Sequence, residues 1–177
     1  MRPATPLENA LLAEVASKSD LVWVETEERQ SALWHVWVDE QIAVVVGGSE
    51  QPDPALREQG PVVVTLRSKD KGHRLLRVMA TSHRVFPESP QWETVTAALT
   101  PGRLNATTAT AADDDSRLPD RWATSSTVWL LTPTGEVQEG PGDYSANDHR
   151  AVPTPTPATT VTHHPYHFGR ATKKRRR

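Results

Sequence analysis

Apolar and polar side chains alternate through most of the stretch from Leu33 to Val85. Ser31–Val38 and Gln41–Val46 read as a strand hairpin turning at Asp39-Glu40. Val62–Arg67 and His73–Val85 read as a second hairpin, turning at Lys69-Asp70-Lys71-Gly72. Between the two, Gly47-Gly48-Ser49 ends a strand, Asp53-Pro54 starts a short helix reaching Gln59, and Gly60-Pro61 breaks it. Gln41–Val46 is almost wholly apolar, the pattern of a strand buried on both faces, at a barrel or dimer seam. Consecutive strands with one short break predict a small antiparallel sheet or barrel, mainly β, with helices on its flanks.

The flanking helices have their own signals. Thr5-Pro6-Leu7-Glu8 combines a cap, a proline at the first helical position and a capping-box glutamate. Residues 6–17 then place Leu7, Leu11 and Val15 on one face with Leu12 beside it, and Ser19-Asp20 stops the helix. Leu21–Glu25 follows as a strand. Ser89-Pro90 opens another helix, with Trp92, Val95 and Leu99 at helical spacing, and Pro101-Gly102 closes it. Asn105–Ser116 is a polar loop holding Asp113-Asp114-Asp115, and Ser125–Thr132 is a final strand. Periodicity is lost after Pro133. Residues 136–177 are rich in Gly, Pro and Thr and lack the apolar surface to offset the entropy of ordering. The expected organisation is a folded domain over residues 1–135 and a disordered tail over 136–177.

Composition narrows the chemistry. The 177 residues include no cysteine, which excludes disulfides, thiolate metal sites and a cysteine nucleophile. No segment approaches the ~18 apolar residues of a membrane span. Met1–Ala10 has no signal-peptide core, so a cytoplasmic location is expected. All six tryptophans lie between Trp23 and Trp129, marking the core. The net charge of −2 hides an uneven distribution. Residues 163–177 carry six cations and no carboxylate, which leaves fourteen cations against twenty-two acids in the rest. The chain is an acidic domain with a basic tip. Neither part reads as a dedicated nucleic-acid-binding domain, and nucleic acid is not an expected partner unless through that tip.

The second hairpin carries Arg67, Lys69, Lys71, His73, Arg74, Arg77 and Arg84, a plausible surface for a phosphorylated ligand. Arg67-Ser68-Lys69 is the candidate phosphate clamp; the ordinary role of such residues is to keep a hairpin end solvated. Gly47-Gly48-Ser49 either admits a ligand close to the backbone or simply turns the chain. It is neither a Walker motif nor a dinucleotide fingerprint. Trp34 and Trp37 are expected on opposite faces of one strand, either both as packing residues or one in the core and the other against a ring or a partner protomer. His35, His73 and His83 are isolated and read as packing or surface histidines. His163-His164-Pro165-Tyr166-His167 and Asp113–Asp115 read as solvated, with no metal expected.

The order helix, strand, hairpin, short helix, hairpin, helix, strand resembles the FMN-binding split-barrel superfamily. That group includes pyridoxamine 5′-phosphate oxidase-like proteins and deazaflavin-dependent reductases. The matching segments are Leu33–Asp39, Ala43–Ser49, Pro61–Arg67, the Trp92 helix running to Arg103-Leu104-Asn105, Arg121-Trp122-Ala123 and Leu131-Thr132-Pro133. The resemblance implies an antiparallel split β-barrel over residues 20–135, a homodimer, and FMN or a deazaflavin in a groove between protomers. Carried over, it implies phosphate contacts from Ser49, Arg57, Arg67, Ser68 and Lys69, with Trp37 lining the ring. The flavin would carry the hydride and no side-chain acid or base would be required. The alternative is a cofactor-free binding or scaffolding protein that keeps the barrel, motivated by the lack of a dense phosphate-binding row and by the long tail.

Overall fold

The strand that sequence alternation draws through Ser31–Val38 is in fact two. In the computed structural model, which describes residues 1–70, 72–104 and 117–146, it divides at His35. The elements are β1 (Arg2–Pro3), α1 (Pro6–Lys18), β2 (Leu21–Glu25), β3 (Gln30–Trp34), β4 (Val36–Val38), β5 (Gln41–Val46), β6 (Gly60–Arg67), β7 (Arg74–Val85), α2 (Trp92–Gly102), α3 (Leu118–Ser125) and β8 (Thr127–Glu139). All belong to one unit, Met1–Ala146.

Every strand pairing is antiparallel, and the strands follow the order β3-β2-β6-β7-β8-β5-β4, with β1 added to the far end of β8. β3 turns back onto β2, while β4 turns forward onto β5 through Asp39 and Glu40, both at positive φ. The two ends of the sheet are thus joined through one residue, His35. The result is a curled half-barrel with flanking helices, a split barrel.

Side-chain alternation sorts the core into two layers. Ile42, Val44 and Val46 of β5 and Trp129 and Leu131 of β8 point into the barrel, where Val22, Val24, Val64, Leu66 and Leu76 join them under Leu12 and Val15 of α1. Ala43, Val45, Val128 and Leu130, on the opposite face, pack with Trp34 beneath Val95 and Leu99 of α2 and Leu118 and Trp122 of α3. This explains the unbroken apolar run of β5: both of its faces are covered within the chain. The α1 capping box forms as expected, but the helix buries Glu8, Leu12, Val15 and Ala16 and leaves Leu7 71% exposed.

Four further features depart from the sequence reading. No helix forms at Asp53–Gln59. Asp53 Oδ1 does accept from the N–H groups of Ala55 and Leu56, as a cap would, but Ala55 takes φ +67° and buried Leu56 draws the chain into the core. The result is an Asx turn. Conversely, α3 was not anticipated, although Pro119, Asp120 and the Leu118–Trp122 spacing are helix signals. The last strand runs beyond Pro133 to Glu139, held by β7 along its length and by β1 at its end. Trp34 and Trp37 sit on different strands, Trp34 buried beneath the helices and Trp37 half-buried against the barrel core. Lys71, the Asn105–Ser116 loop and everything from Asn147 onward, including His163–His167 and Lys173–Arg177, lie outside the described residues.

Candidate functional site

The register of β2 against β6 sets Trp23 opposite Thr65, so Arg67, two residues on, faces the same side of the sheet. Its guanidinium carbon lies 4.3 Å from the centroid of the Trp23 ring, a cation–π stack. Just beyond, Ser68 N–H donates to His73 O and Gly72 N–H donates to Ser68 O, each at 2.8 Å, and Gly72 takes φ +64°. This tight turn carries Lys69, whose Nζ is 3.0 Å from Asp20 Oδ2 at the α1–β2 corner. Trp23, Arg67, Ser68 and Lys69 line a cavity of about 220 Å³ together with Ser19, Asp20, Leu21 and Gly72.

Three of the six sequence-predicted site residues therefore meet: Arg67, Ser68 and Lys69. The aromatic partner is Trp23, which sequence reasoning had not singled out; the signal was its place on the strand that neighbours Arg67. Trp37 lines a different groove, beside α1. Ser49 is exposed in the turn after β5. Arg57 lies in the loop before β6, where its side chain pairs with Glu28 at 2.7 Å and its carbonyl accepts from Ser82 Oγ at 2.6 Å.

The other cations of the β6–β7 hairpin do not form a phosphate row. Arg77 is 5% exposed, donates to both carboxylate oxygens of Glu25 at 2.9 and 3.0 Å, and reaches Gln138 and Thr65. Arg74 pairs with Glu139 at 2.7 Å. Arg84 lies over Phe86, and its N–H donates to Glu58, which also meets His83. The hairpin's positive charge is largely matched by carboxylates of the same domain.

The glycine turn has a structural role. A Cβ on Gly48 would lie 2.5 Å from Ser125 O, and Gly48 takes φ +59°. The close approach is to the end of α3. Just after it, the fully buried Glu50 carboxylate accepts from Arg103 Nε at 2.9 Å and from an Arg121 guanidinium nitrogen at 2.8 Å. Burial pushes the Glu50 carboxyl up, but the Arg103 and Arg121 guanidiniums and the neighbouring Trp122 indole outweigh it and hold the group below the ordinary range. This cluster fastens the β5 turn to both outer helices. Among the described residues, no group of three His, Cys, Asp or Glu side chains is arranged to hold a metal ion.

No family model matches the chain. Over 87 residues it is 31% identical to the ribosomal RNA large subunit methyltransferase H of Synechococcus sp. (strain RCC307), a match spanning 45% of this chain and 59% of that protein. Among solved structures it is similar to HutZ, described as the heme storage protein from Vibrio cholerae, with 13% identity and a TM-score of 0.51 over 76% of this chain and 93% of the other. At that identity the similarity establishes the fold: this chain is a split barrel.

Proposed function

We propose that this protein binds a planar, anionic cofactor at the Trp23–Arg67–Ser68–Lys69 cavity, with FMN the first candidate and a deazaflavin the second. The observation that carries the reading is the stack of Arg67 on Trp23 beside Ser68 and Lys69. An indole face suits a flat ring, and guanidinium, ammonium and hydroxyl groups suit a phosphate. A cavity of about 220 Å³ takes the phosphate end or one ring of a flavin. The rest of the ligand would extend across the surface or against a second protomer, in keeping with the homodimer the resemblance implies. When bound, the flavin would supply hydride or electron transfer, and the chain would contribute binding and orientation. The solved neighbour is titled a heme storage protein. Heme is also flat and anionic, so hemin belongs in the same assay. Methyl transfer forms no part of the proposal, since that match covers only part of either chain.

The test is a titration of the full chain with FMN, a deazaflavin and hemin, read by visible absorption and tryptophan quenching. Saturable flavin binding that Arg67→Ala weakens by about tenfold or more supports the reading. Flavin binding that ignores both Arg67→Ala and Lys69→Ala overturns the site. Hemin binding alone replaces the flavin.

The pairing of Arg77, Arg57, Lys69 and Arg74 with Glu25, Glu28, Asp20 and Glu139 favours a second reading, a cofactor-free binding protein built on the barrel. A chain that ignores all three ligands supports it, and partner recovery with and without the tail is then the next measurement. Because β8 extends to Glu139, the truncation belongs after Ala146.

A further inference from the structure

A larger groove lies beside α1, away from the Trp23–Arg67 cavity. It measures about 430 Å³, within the range of small-molecule sites. Its floor is apolar: Leu12 of α1, Val78 of β7, Val137 of β8 and the half-buried indole of Trp37. Its rim is acidic. Asp39 and Glu40 stand at the β4–β5 turn and Glu136 on β8, all three exposed, and no lysine or arginine lines the groove. The fourth acid there, Glu8, is already bound by Arg2 at 2.6 Å.

Several carboxylates elsewhere in the domain are matched, as in Glu25 with Arg77, Glu139 with Arg74 and Glu50 with Arg103 and Arg121. Among the described residues, none of the three rim acids lies within ion-pair distance of a cation. They are spread around the mouth and form no metal-binding cluster. Dispersed negative charge over an apolar floor with an indole fits an organic cation on a hydrocarbon body.

We infer that the Trp37 groove is a binding site for an organic amine, its ammonium drawn to the acidic rim of Asp39, Glu40 and Glu136 and its apolar body laid on Leu12, Trp37 and Val137. The turn positions the charges: Asp39 and Glu40 take φ +48° and +60°, which fixes both at the head of the hairpin beside α1. Gln41 Nε2 donates to Thr132 Oγ1 across the same wall and ties β5 to β8 behind them. The inference uses different residues from the proposed cofactor cavity and stands or falls separately from it.

The experiment is calorimetric titration of the full chain with phenethylamine and, as the oppositely charged match, phenylacetate. The amine is expected to bind saturably and the acid not to bind. Asp39→Asn, chosen because asparagine tolerates the left-handed backbone, and Glu136→Gln should each weaken the amine about two- to fivefold. Asn9→Lys, on the exposed face of α1 at the groove mouth, should block it, and added salt should weaken the wild type. Thermal melts of the three variants identify any that misfold, and an affected variant is then replaced by Glu40→Gln. Equal binding of amine and acid, amine binding untouched by the charge variants, or no amine binding would each overturn the inference.

Discussion

Gln51 Oε1 accepts the Trp34 N–H at 2.6 Å, and Gln51 Nε2 donates back to Trp34 O at 3.0 Å. The same Nε2 reaches Val45 O at 3.0 Å. One buried side-chain amide thus stands in for a strand where β3 ends and β5 passes, beside the split at His35. Gln51→Ala would leave a buried N–H and two carbonyls without this partner, so we expect a loss of about 3 kcal/mol or more in urea unfolding. Gln51→Glu should not rescue it, because a carboxylate cannot donate to the two carbonyls. Loss below about 1 kcal/mol for the alanine variant would mean that water takes over the role.

The Glu50 cluster makes a second prediction. The Glu50 side chain is fully buried and that of Arg103 7% exposed, so Arg103→Met should destabilise by about 3 kcal/mol by leaving the buried carboxylate with Arg121 alone of its two arginines. Arg121→Met should cost less, since that side chain is 28% exposed. A double-mutant cycle of Glu50→Gln with Arg103→Met should be strongly non-additive in equilibrium unfolding. Additive losses would show that the pair is not energetically coupled.

Glu8 governs part of the acid limb. Arg2 pairing first, and the Thr5 N–H next, lower its pKa from 4.5 to about 2. A carboxyl depressed in the folded state binds its proton more tightly when unfolded. Its contribution is therefore complete above about pH 4.5 and is lost as pH falls toward about 2. Glu8→Gln keeps a capping-box side chain but loses the charge-assisted pair with Arg2, so it should reduce neutral-pH stability by about 1–3 kcal/mol and flatten the profile in that window. A wild-type slope that survives the substitution would assign the acid limb to other groups.

His35 acts at milder acidity. Burial, opposed by its hydrogen bond to Ala16 O at 2.9 Å, lowers its pKa from 6.5. A histidine kept neutral in the folded chain takes up its proton more readily when unfolded. Stability should therefore be full above about pH 6.5 and decline below it, until the folded pKa is reached. His35→Gln should remove that decline while costing stability at neutral pH. The His35 imidazole resonances, followed by pH-dependent NMR, should titrate below about pH 6.5.

Much of the fold was legible in the sequence. The capping box at Thr5-Glu8, the β5 run and the Lys69–Gly72 turn are local signals, and local chemistry sets their outcome. The break at His35 was not legible, because no glycine or proline marks it. It arises from which neighbours pair, β2 with one half and β5 with the other. The Asp53 helix failed for the opposite reason: a sound local cap was overridden when Leu56 was drawn into the core. At the candidate site, the adjacency of Arg67, Ser68 and Lys69 was plain. The contribution of Trp23 depended on strand register, and so did the pairing of Arg77 with Glu25, 52 residues away.

The place of β8 bears on how the chain is made. It lies between β7 and β5, whose residues precede it by tens of positions. Until Thr127–Glu139 has been synthesised, the nascent chain holds two partial sheets, β3-β2-β6-β7 and β5-β4, each with an unpaired inner edge. Emergence from the ribosome therefore includes an interval in which those edges and the apolar side chains of Val44, Val46 and Val78 lack their cover, and chaperone dependence should be concentrated there.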